Sequence, residues 1–422
     1  MSYVADLHLH SSYAYATSNA LTLENLAEWA KFKGIDLLAS ADFTHPVWFR
    51  ELKEKLLPSH TGLYQFNGVQ FILGTEASCV YQQGGRQRRV HILLFAPCLD
   101  AVERINHALS SYGNLATDGR PTLALSVRDL TELALDADPE CIIIPAHAWT
   151  PWYGVFGSKS GFDSLEECFE DMVPAINAIE TGLSSDPGMN WTVPDLVDKT
   201  IVSFSDAHSL PKLAREVTAF EGDLSYQGFA QALAENQVAY TVEFYPEEGK
   251  YHYDGHRKCG VCQSPEETFR QGDRCRVCGR PLTLGVLHRT GLLGGDTEER
   301  TPDEDGFIHS PHGRPPYIHL VPLQEIIAEV FEQSPNTRRV QGEYHRIVKE
   351  LGHELDVLIS AAPAELELVA GESLAQAILM SRQGKVHVEP GYDGVFGRIS
   401  LRGVNESHSL EGNTLQPRLS GM

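Results

Sequence analysis

The 422-residue sequence predicts an α/β protein whose first half is a parallel barrel of alternating strands and helices. Two observations point to the barrel. Short apolar runs alternate with helical segments near 100–112, 126–137 and 162–172, and polar residues follow most of those runs directly. A third observation, two cysteine pairs between 259 and 278, predicts a zinc ribbon after the barrel. The remaining sequence predicts a small α+β domain.

The first apolar run, Tyr3–Ala5, leads into Asp6-Leu7-His8-Leu9-His10-Ser11. Side chains at i and i+2 of a strand point to the same side, so both imidazoles could reach one metal ion. Taken alone, the pair could also be two unrelated histidines near a terminus. The positions of the later polar residues decide between these alternatives.

The next segment, Thr22 to Gly34, has apolar residues at helical spacing, a capping Thr and a terminating Gly. Later predicted strands end in polar residues in the same way. They are Ile35–Ala41 before Asp42 and His45, Val69–Leu73 before Glu76, Cys141–Ile144 before His147, Ala175–Ile179 before Glu180, and Thr200–Phe204 before Asp206 and His208. His91 differs, because it lies near the beginning of its run, so that strand is expected to be reversed or to start later.

Parallel strands collect such residues on one catalytic face. The predicted metal ligands are His8, His10, Asp42, His45, Glu76, His91, His147, Asp206 and His208. Nitrogen and oxygen ligands of this kind suit Zn²⁺, Mn²⁺ or Fe²⁺. Any one of these histidines could equally be a packing residue, and it is the set that indicates a metal cluster.

The formal net charge of −23 argues against a surface coated with cations for nucleic acid. It does not exclude nucleic acid, because bound metal ions reverse the local potential of a carboxylate-rich site. The sequence has no apolar run of membrane-spanning length and no signal peptide, so a cytoplasmic location is expected. The cysteines outside the two pairs are then expected to be buried thiols rather than disulfides.

Asp-x-His-x-His-Ser at 6–11, Asp42 with His45, Gly74-x-Glu76 and Ser205-Asp206-Ala207-His208 together resemble the PHP (polymerase and histidinol phosphatase) superfamily. The resemblance covers about residues 1–245 and implies a distorted (β/α)₇ barrel that cleaves phosphoesters with two or three divalent ions (Zn²⁺, Mg²⁺ or Mn²⁺). It implies one metal on His8, His10, Glu76 and Asp206, a second on Glu76, His91 and His147, and a third on His208 with Asp42 or His45. Asp206, Glu76 and His147 are the expected catalytic residues.

Two loops beside the predicted centre are rich in aromatic and polar residues. The expected substrate-binding residues in them are Trp149, Trp152, Ser184, Ser185, Asn190 and Trp191. Aromatic rings beside a phosphodiester site could stack a base pulled from its duplex, and the polar groups could hydrogen-bond its edge. Alternatively, the aromatic residues simply pack the mouth of the barrel.

The two cysteine pairs are Cys259-Gly-Val-Cys262 and Cys275-Arg-Val-Cys278. Two such pairs predict a tetrahedral Cys₄ zinc site, which would stabilise a segment too short to have a core of its own. Basic residues beside the pairs, such as Arg270 and Arg276, make contact with nucleic acid plausible.

These segments, with Asp42-Phe-Thr-His-Pro46, Trp149-Thr-Pro-Trp152, Ser184-Ser-Asp-Pro187 and Pro390–Gly397, resemble the endonuclease Q family, a DNA-repair branch of the PHP superfamily. The resemblance implies an enzyme that nicks DNA 5′ of deaminated bases (deoxyinosine, deoxyuridine, deoxyxanthosine) and abasic sites. Damaged DNA is then the expected partner, and other repair proteins are conceivable ones. The alternatives are a small-molecule phosphatase of the histidinol-phosphate type and a non-catalytic PHP scaffold.

The predicted domains are the barrel at 1–245, the ribbon at 246–290, a DNA-clamping α+β domain at 291–402 and a disordered tail at 403–422. A pure interaction module is the alternative for the third domain. Within it, Pro322–Glu332 and Glu343–Leu351 are predicted helices, Ala364–Val369 and Leu374–Gln383 a strand or helix pair, and 280–316 a linker or mobile loop.

Overall fold

Eleven strands of the described chain join into one mixed sheet. The structure is a computed structural model that describes residues 2–294 and 301–401. The strands are β1 (Ser2–Asp6), β2 (Leu37–Ala39), β3 (Leu57–Pro58), β4 (Tyr64–Phe66), β5 (Val69–Gln83), β6 (Arg86–Ala96), β7 (Thr122–Leu123), β8 (Ile142–Pro145), β9 (Ala178–Glu180), β10 (Thr200–Val202), β11 (Val217–Glu221), β12 (Val238–Glu243), β13 (Asp254–His256), β14 (Val261–Gln263), β15 (Tyr317–His319), β16 (His387–Glu389) and β17 (Arg398–Ser400). The helices are α1 (Leu23–Lys33), α2 (Pro46–Lys55), α3 (Leu99–Leu109), α4 (Val127–Ala137), α5 (Leu165–Phe169), α6 (Pro187–Asn190), α7 (Tyr226–Glu235), α8 (Pro265–Gln271), α9 (Val286–Gly294), α10 (Leu323–Phe331), α11 (Arg338–Leu351), α12 (Glu354–Ile359), α13 (Pro363–Ala370) and α14 (Glu372–Arg382).

Strand β1 lies between β2 and β11 in this sheet, parallel to β2 and antiparallel to β11. Since β12 is antiparallel to β11 and β15 is parallel to β12, the strands β1, β2, β12 and β15 all run in the same direction. Their carboxyl ends therefore meet at one edge of the sheet, where the polar residues that follow them gather.

Strands β5 and β6 form a long antiparallel hairpin, and β6 is also antiparallel to β8. The hairpin turn is made by Gly84 and Gly85, which both have positive φ, as a two-residue turn with matched twist requires. The expected reversal of the strand that carries His91 is confirmed, and the wholly parallel arrangement is wrong. Glu76 lies within β5 rather than after it, because the strand continues to Gln83.

The predicted helix after Thr22 is α1, which Thr22 caps and which ends at Gly34 with a φ of 85°. All four C-terminal segments predicted as helices, or as a strand or helix pair, are helical and correspond to α10, α11, α13 and α14. Their buried residues belong to the same contiguous apolar core as those of the sheet. This C-terminal part is thus mainly helical, with β16 and β17 forming a small hairpin.

The predicted tail at 403–422 lies outside the described residues, as do residues 295–300 of the predicted linker. In 2–294 and 301–401, no helix combines the length and the apolar character that crossing a bilayer would require.

A buried ion pair joins α1 to the C-terminal helices. Lys33 Nζ lies 2.6 Å from the carboxylate of Glu354, and both side chains are almost fully buried. The Glu354 carboxylate also accepts hydrogen bonds from the Tyr344 hydroxyl at 2.7 Å and from the backbone N–H of Leu323 at 3.1 Å. The pair therefore joins four helices, α1, α10, α11 and α12, at one charged cluster.

Replacing Lys33 by Ala is expected to lower the free energy of unfolding by about 3–5 kcal/mol, because it leaves a buried carboxylate without its cation. Urea-induced unfolding of the full chain measures this effect. Lys31→Ala, an exposed position on the same helix, is the matched control and is expected to change little. Equal midpoints for the two variants would show that the pair contributes nothing.

Candidate metal centre

Four side chains from distant parts of the sequence converge at the carboxyl end of β1. Glu76 Oε2 lies 3.4 Å from His8 Nε2 and 3.2 Å from His10 Nε2, and Asp206 Oδ1 lies 3.4 and 3.3 Å from the same two nitrogens. A tetrahedral ion with bonds of ~2.0–2.1 Å separates its ligand atoms by about 3.3–3.4 Å. These residues therefore match the geometry of a bound divalent ion.

A second group of ligands uses the other oxygen of the same glutamate. Glu76 Oε1 lies 2.6 Å from His91 Nδ1 and 3.1 Å from His147 Nε2, and these two nitrogens are 3.2 Å apart. One carboxylate thus faces two groups of potential ligands, one oxygen to each. This is the arrangement of a carboxylate that bridges a pair of metal ions.

The backbone explains how these residues meet. Strand β1 ends at Asp6, and beyond it Leu9 forms a parallel bridge with Ala207, which sets the Asp206 turn beside both histidines. Asp6 itself is buried, and its carboxylate accepts the backbone N–H groups of Ser205 and Ala214, both at 3.0 Å. It therefore anchors the turn that carries Asp206.

Three residues at the centre have a left-handed backbone. The φ values are 39° for Asp42, 30° for His147 and 45° for Asp206. Non-glycine residues rarely adopt this conformation, and in proteins it is concentrated at functional sites. The strain lies at the ends of strands, where each side chain must turn toward the centre.

The charges at the centre are strongly coupled. Burial opposes protonation of His8, but the carboxylates of Glu180, Asp206 and Glu76 raise its pKa well above the usual value. Burial would raise the pKa of Glu76, but His91, Arg120 and His8 hold it well below its usual range. Burial lowers the pKa of His91 to about 4 despite the neighbouring Glu76. The carboxylates are thus held ionised, which suits the binding of divalent cations.

Buried polar atoms at the first group also point to a cation. His8 Nε2, His10 Nε2 and Asp206 Oδ1 have no hydrogen-bond partner in the described structure. The opposite nitrogens are engaged, since His8 Nδ1 donates to Glu180 at 2.9 Å and His10 Nδ1 donates to Asp42 at 3.1 Å. Once a metal ion displaces the proton from Nε2, these bonds favour the tautomer in which each Nε2 presents its lone pair to the centre.

Glu180 is the last residue of β9, and the sequence analysis places it after a strand without predicting it as a site residue. Besides holding His8, its carboxylate accepts the backbone N–H of His147 at 2.7 Å. One buried carboxylate thus orients a ligand of each group. The sequence signal was its position directly after a strand, shared with the other ligands.

Replacing Glu180 by Gln is expected to weaken metal binding by about 10–100-fold, because His8 loses the charged acceptor that orients its ring. Titration of metal-free protein with Mn²⁺ or Zn²⁺ measures the affinity. Glu170→Gln, an exposed site in the preceding segment, is the control. Unchanged affinity in the Glu180 variant would limit this residue to a packing role.

Arg120 also lies at the centre, although no pattern in the sequence indicates it. Its guanidinium lies 3.1 Å from Glu76 Oε2, and its side chain retains 23% of its exposure. The neighbouring Gly119 is packed against Asp42, with no room for a Cβ, and its carbonyl accepts the Thr44 hydroxyl at 3.0 Å. The loop is thus held tightly enough to place a cation beside the ligands.

The predicted third metal is not supported by the geometry of the described residues. The Asp42 carboxylate accepts hydrogen bonds from His10 Nδ1 at 3.1 Å and from the backbone N–H and hydroxyl of Ser11, both at 2.6 Å. His45 instead caps α2 and stacks on Tyr13 at 4.5 Å. His208 packs against the His10 ring at 4.7 Å but joins neither group of ligands. Asp42 thus contacts His10 and His45 caps α2, so the geometry does not support either residue as a metal ligand.

The predicted substrate-binding residues fall into two kinds. Asn190 and Ser185 are fully buried, and Trp149 is 1% exposed. The Asn190 amide is used internally, since it accepts the Trp149 indole N–H at 2.7 Å and donates to the Asp186 carbonyl at 2.8 Å. The polar groups of these residues are thus paired with one another.

The remaining predicted residues keep some exposure. Trp152 is 40% exposed and meets Tyr251 edge-on at 5.5 Å. Ser184 and Trp191 are half-buried. These are the members of the predicted set that can still touch a substrate.

Three of the four predicted Cys₄ ligands lie together in the ribbon. Cys259, Cys275 and Cys278 come together with His256, and each offers an atom within 4.8 Å of the others. Cys262 is not part of this group, so its assignment as a ligand is not supported by the geometry.

The family model described as the MJ0043 C-terminal domain matches residues 322–385. An uncharacterized protein of Methanocaldococcus jannaschii, MJ0043, is 31% identical over 264 residues, which are 61% of this chain and 32% of that protein. The chain thus spans about a third of the length of that curated relative.

Two solved structures resemble nearly the whole chain. The lesion-specific endonuclease PfuEndoQ from Pyrococcus furiosus matches with a TM-score of 0.82 and 31% identity, over 97% of this chain and 100% of that one. An endonuclease Q complex with a 27-mer duplex, which has an abasic lesion at its active site, matches with a TM-score of 0.81 and 31% identity, over 96% and 98% of the two chains.

Proposed function

The chain belongs to the endonuclease Q family of the PHP superfamily, and we propose that it is a metal-dependent DNA-repair endonuclease. It hydrolyses the phosphodiester on the 5′ side of abasic sites and of deoxyinosine, deoxyuridine and deoxyxanthosine. The observation that carries the proposal is the Glu76 carboxylate, which offers one oxygen to each of two groups of ligands.

The residues present fit a pair of divalent ions. His8, His10, Glu76 and Asp206 would hold one ion, and Glu76, His91 and His147 the other. When bound, two such ions supply an activated water and polarise the phosphate oxygens. The protein residues contribute position: Glu180 and Asp42 fix the histidine rings, and Arg120 faces the place where phosphate charge would lie.

A cavity lined in part by residues at the carboxyl ends of β12 and β15 is suited to an extruded base. It has a volume of about 350 Å³ and is lined in part by Asp186, Tyr245, Glu247 and His319. Since β12 and β15 run in the same direction as β1, Tyr245 and His319 lie at the same edge of the sheet as His8. The loop after Glu180 leads to Asp186 in the cavity lining, so one loop connects the centre with the cavity along the chain.

The polar groups of the cavity support this role. The buried Tyr245 hydroxyl has no hydrogen-bond partner in the described structure, and its ring stacks on His319 at 4.8 Å. His319 Nε2 lies 3.5 Å from Asp186 Oδ2. A hydroxyl, an imidazole and a carboxylate can together hydrogen-bond the edge of a flipped base.

Replacing Tyr245 by Phe is expected to slow nicking of a deoxyinosine duplex by about five- to tenfold, the value of one lost hydrogen bond. An abasic site has no base to bind, so its nicking should remain within about twofold. Gel assays on both duplexes give the ratio of the two nicking rates. Tyr3→Phe, which removes another buried unpartnered hydroxyl at the start of β1, is the control. An equal loss on both duplexes would exclude this cavity as the base pocket.

The proposal as a whole is tested with end-labelled duplexes that carry one deoxyinosine, deoxyuridine or abasic site, in Mg²⁺ or Mn²⁺, on denaturing gels. A nick just 5′ of the lesion, absent with Asp206→Ala and on undamaged duplex, is the expected result. Phosphate release from a phosphomonoester with the lesion strand intact would instead establish a small-molecule phosphatase. No turnover of either substrate by a metal-loaded chain would favour a non-catalytic scaffold.

A further inference from the structure

The ribbon contains two turns of the same design, although only one begins with a cysteine. Cys275-Arg-Val-Cys278 is followed by Gly279 with a φ of 71°, and the N–H of Gly279 donates to the Cys275 carbonyl at 2.8 Å. His256-Arg-Lys-Cys259 is followed by Gly260 with a φ of 62°, and the N–H of Gly260 donates to the Arg257 carbonyl at 3.2 Å. Each turn thus has a potential ligand, two residues, a second ligand and a left-handed glycine.

Cys262 does not fit this design. It is followed by Gln263, and it lies within β14 rather than at a turn. In the β13–β14 hairpin His256 is opposite Val261, and Gly255 is opposite Cys262. Because side chains opposite each other share a face and successive ones alternate, His256 and Cys262 lie on opposite faces of the hairpin.

Packing identifies the face that belongs to the site. Val261 forms a small apolar cluster with Cys275 and Leu282, against which Cys259 packs. The face of Val261 and His256 is therefore the face of the other cysteines. On the opposite face Gly255 packs closely against the Tyr392 ring, and Cys262 lies near the carboxylates of Glu267 and Asp254. Such neighbours disfavour a thiolate at Cys262.

The measured separation fits a metal ion. His256 Nδ1 lies 3.6 Å from Cys278 Sγ. A tetrahedral ion with Zn–N bonds of ~2.0–2.1 Å and Zn–S bonds of ~2.3 Å sets these two atoms about 3.5–3.6 Å apart. We propose that the ribbon binds one Zn²⁺ through His256, Cys259, Cys275 and Cys278, and that Cys262 is a free thiol.

The experiment uses the full chain loaded with Co²⁺, whose thiolate charge-transfer absorption reports only the ribbon, because the barrel groups contain no cysteine. Cys262→Ser should leave this absorption and the Zn²⁺ affinity unchanged. Cys278→Ser, the matched control in the second turn, should lose about a third of the absorption, since one of three thiolates is removed.

His256→Ala should retain the thiolate absorption but bind Zn²⁺ at least about tenfold more weakly. If it does not fold, His256→Cys decides the question. A fourth thiolate at the site would raise the absorption by about a third, whereas a cysteine away from the metal would leave it unchanged. A loss of about a quarter of the absorption in Cys262→Ser, with His256→Cys unchanged, would overturn the proposal and restore Cys₄ ligation.

Discussion

Replacing Glu76 by Gln is expected to reduce the nicking of an abasic duplex by about 10³-fold or more, the largest effect of any single substitution considered. Both oxygens of Glu76 face ligand groups, within 3.4 Å of four different histidines. The amide replaces a bridging charge with a group that can donate on one side. The two ions together supply several kcal/mol of charge stabilisation, and about 4 kcal/mol corresponds to this factor.

Single-turnover nicking at saturating Mn²⁺, together with the metal content of the purified chain, measures the loss. Glu103→Gln, at an exposed glutamate paired with Lys53, is the control for an added amide. A variant that kept both ions and more than about a tenth of the rate would show that Glu76 does not bridge the two groups.

The sequence predicts which residues gather at this centre better than it predicts how they are arranged there. His8 and His10 follow a short strand at alternate positions, which places them on one side of it. The pair alone did not distinguish a metal site from two unrelated histidines, and the later polar residues decided between them. The bridge by Glu76 was implied only by the resemblance to the PHP superfamily. Its position within β5 depends on the pairing of β5 with β6 beyond Leu73, which no local pattern reveals.

Residues in loops were the hardest to assign. Asp42 and His45 carry the same signal as the residues of the two ligand groups, a polar side chain after a strand. The loop nevertheless directs Asp42 to His10 and His45 to the start of α2. Arg120 had no signal at all, because its approach to Glu76 depends on the packing of Gly119 against Asp42. Side-chain direction in a loop is set by tertiary contacts that spacing does not encode.

The cysteine spacing leaves one proposed ligand undecided for a related reason. Two CxxC pairs are a strong signal for four thiolate ligands. The register of β13 with β14 nevertheless turns Cys262 to the face opposite the other cysteines. A histidine three residues before Cys259 was as visible in the sequence as Cys262, but only the sheet register shows which of the two faces the site.

Replacing Arg120 by Ala is expected to lower the nicking rate by about 10²-fold, while metal content stays unchanged. The guanidinium lies beside Glu76, and the neighbouring Glu76 carboxylate raises its pKa above the usual arginine value, so it is always charged. Partial exposure lets it contact a phosphate oxygen of bound DNA. In other enzymes, removing one fixed hydrogen-bond donor to the charge that develops in the transition state lowers kcat by about 10²–10³-fold.

The readout that separates catalysis from structure is the response to metal concentration. If Arg120 acts on the phosphate, excess Mn²⁺ will not restore the rate of Arg120→Ala, and Arg120→Lys will recover part of it because it keeps the charge without the fork of donors. If Arg120 merely holds Glu76 in place, the alanine variant will lose metal and high Mn²⁺ will restore nicking. Arg104→Ala, at an arginine paired with Asp138 near the surface, controls for the loss of one positive charge from a protein of net charge −23. The Arg120 guanidinium would be repelled by two bound metal ions unless an anion lay between them. In the proposed reaction, the phosphodiester of the substrate is that anion.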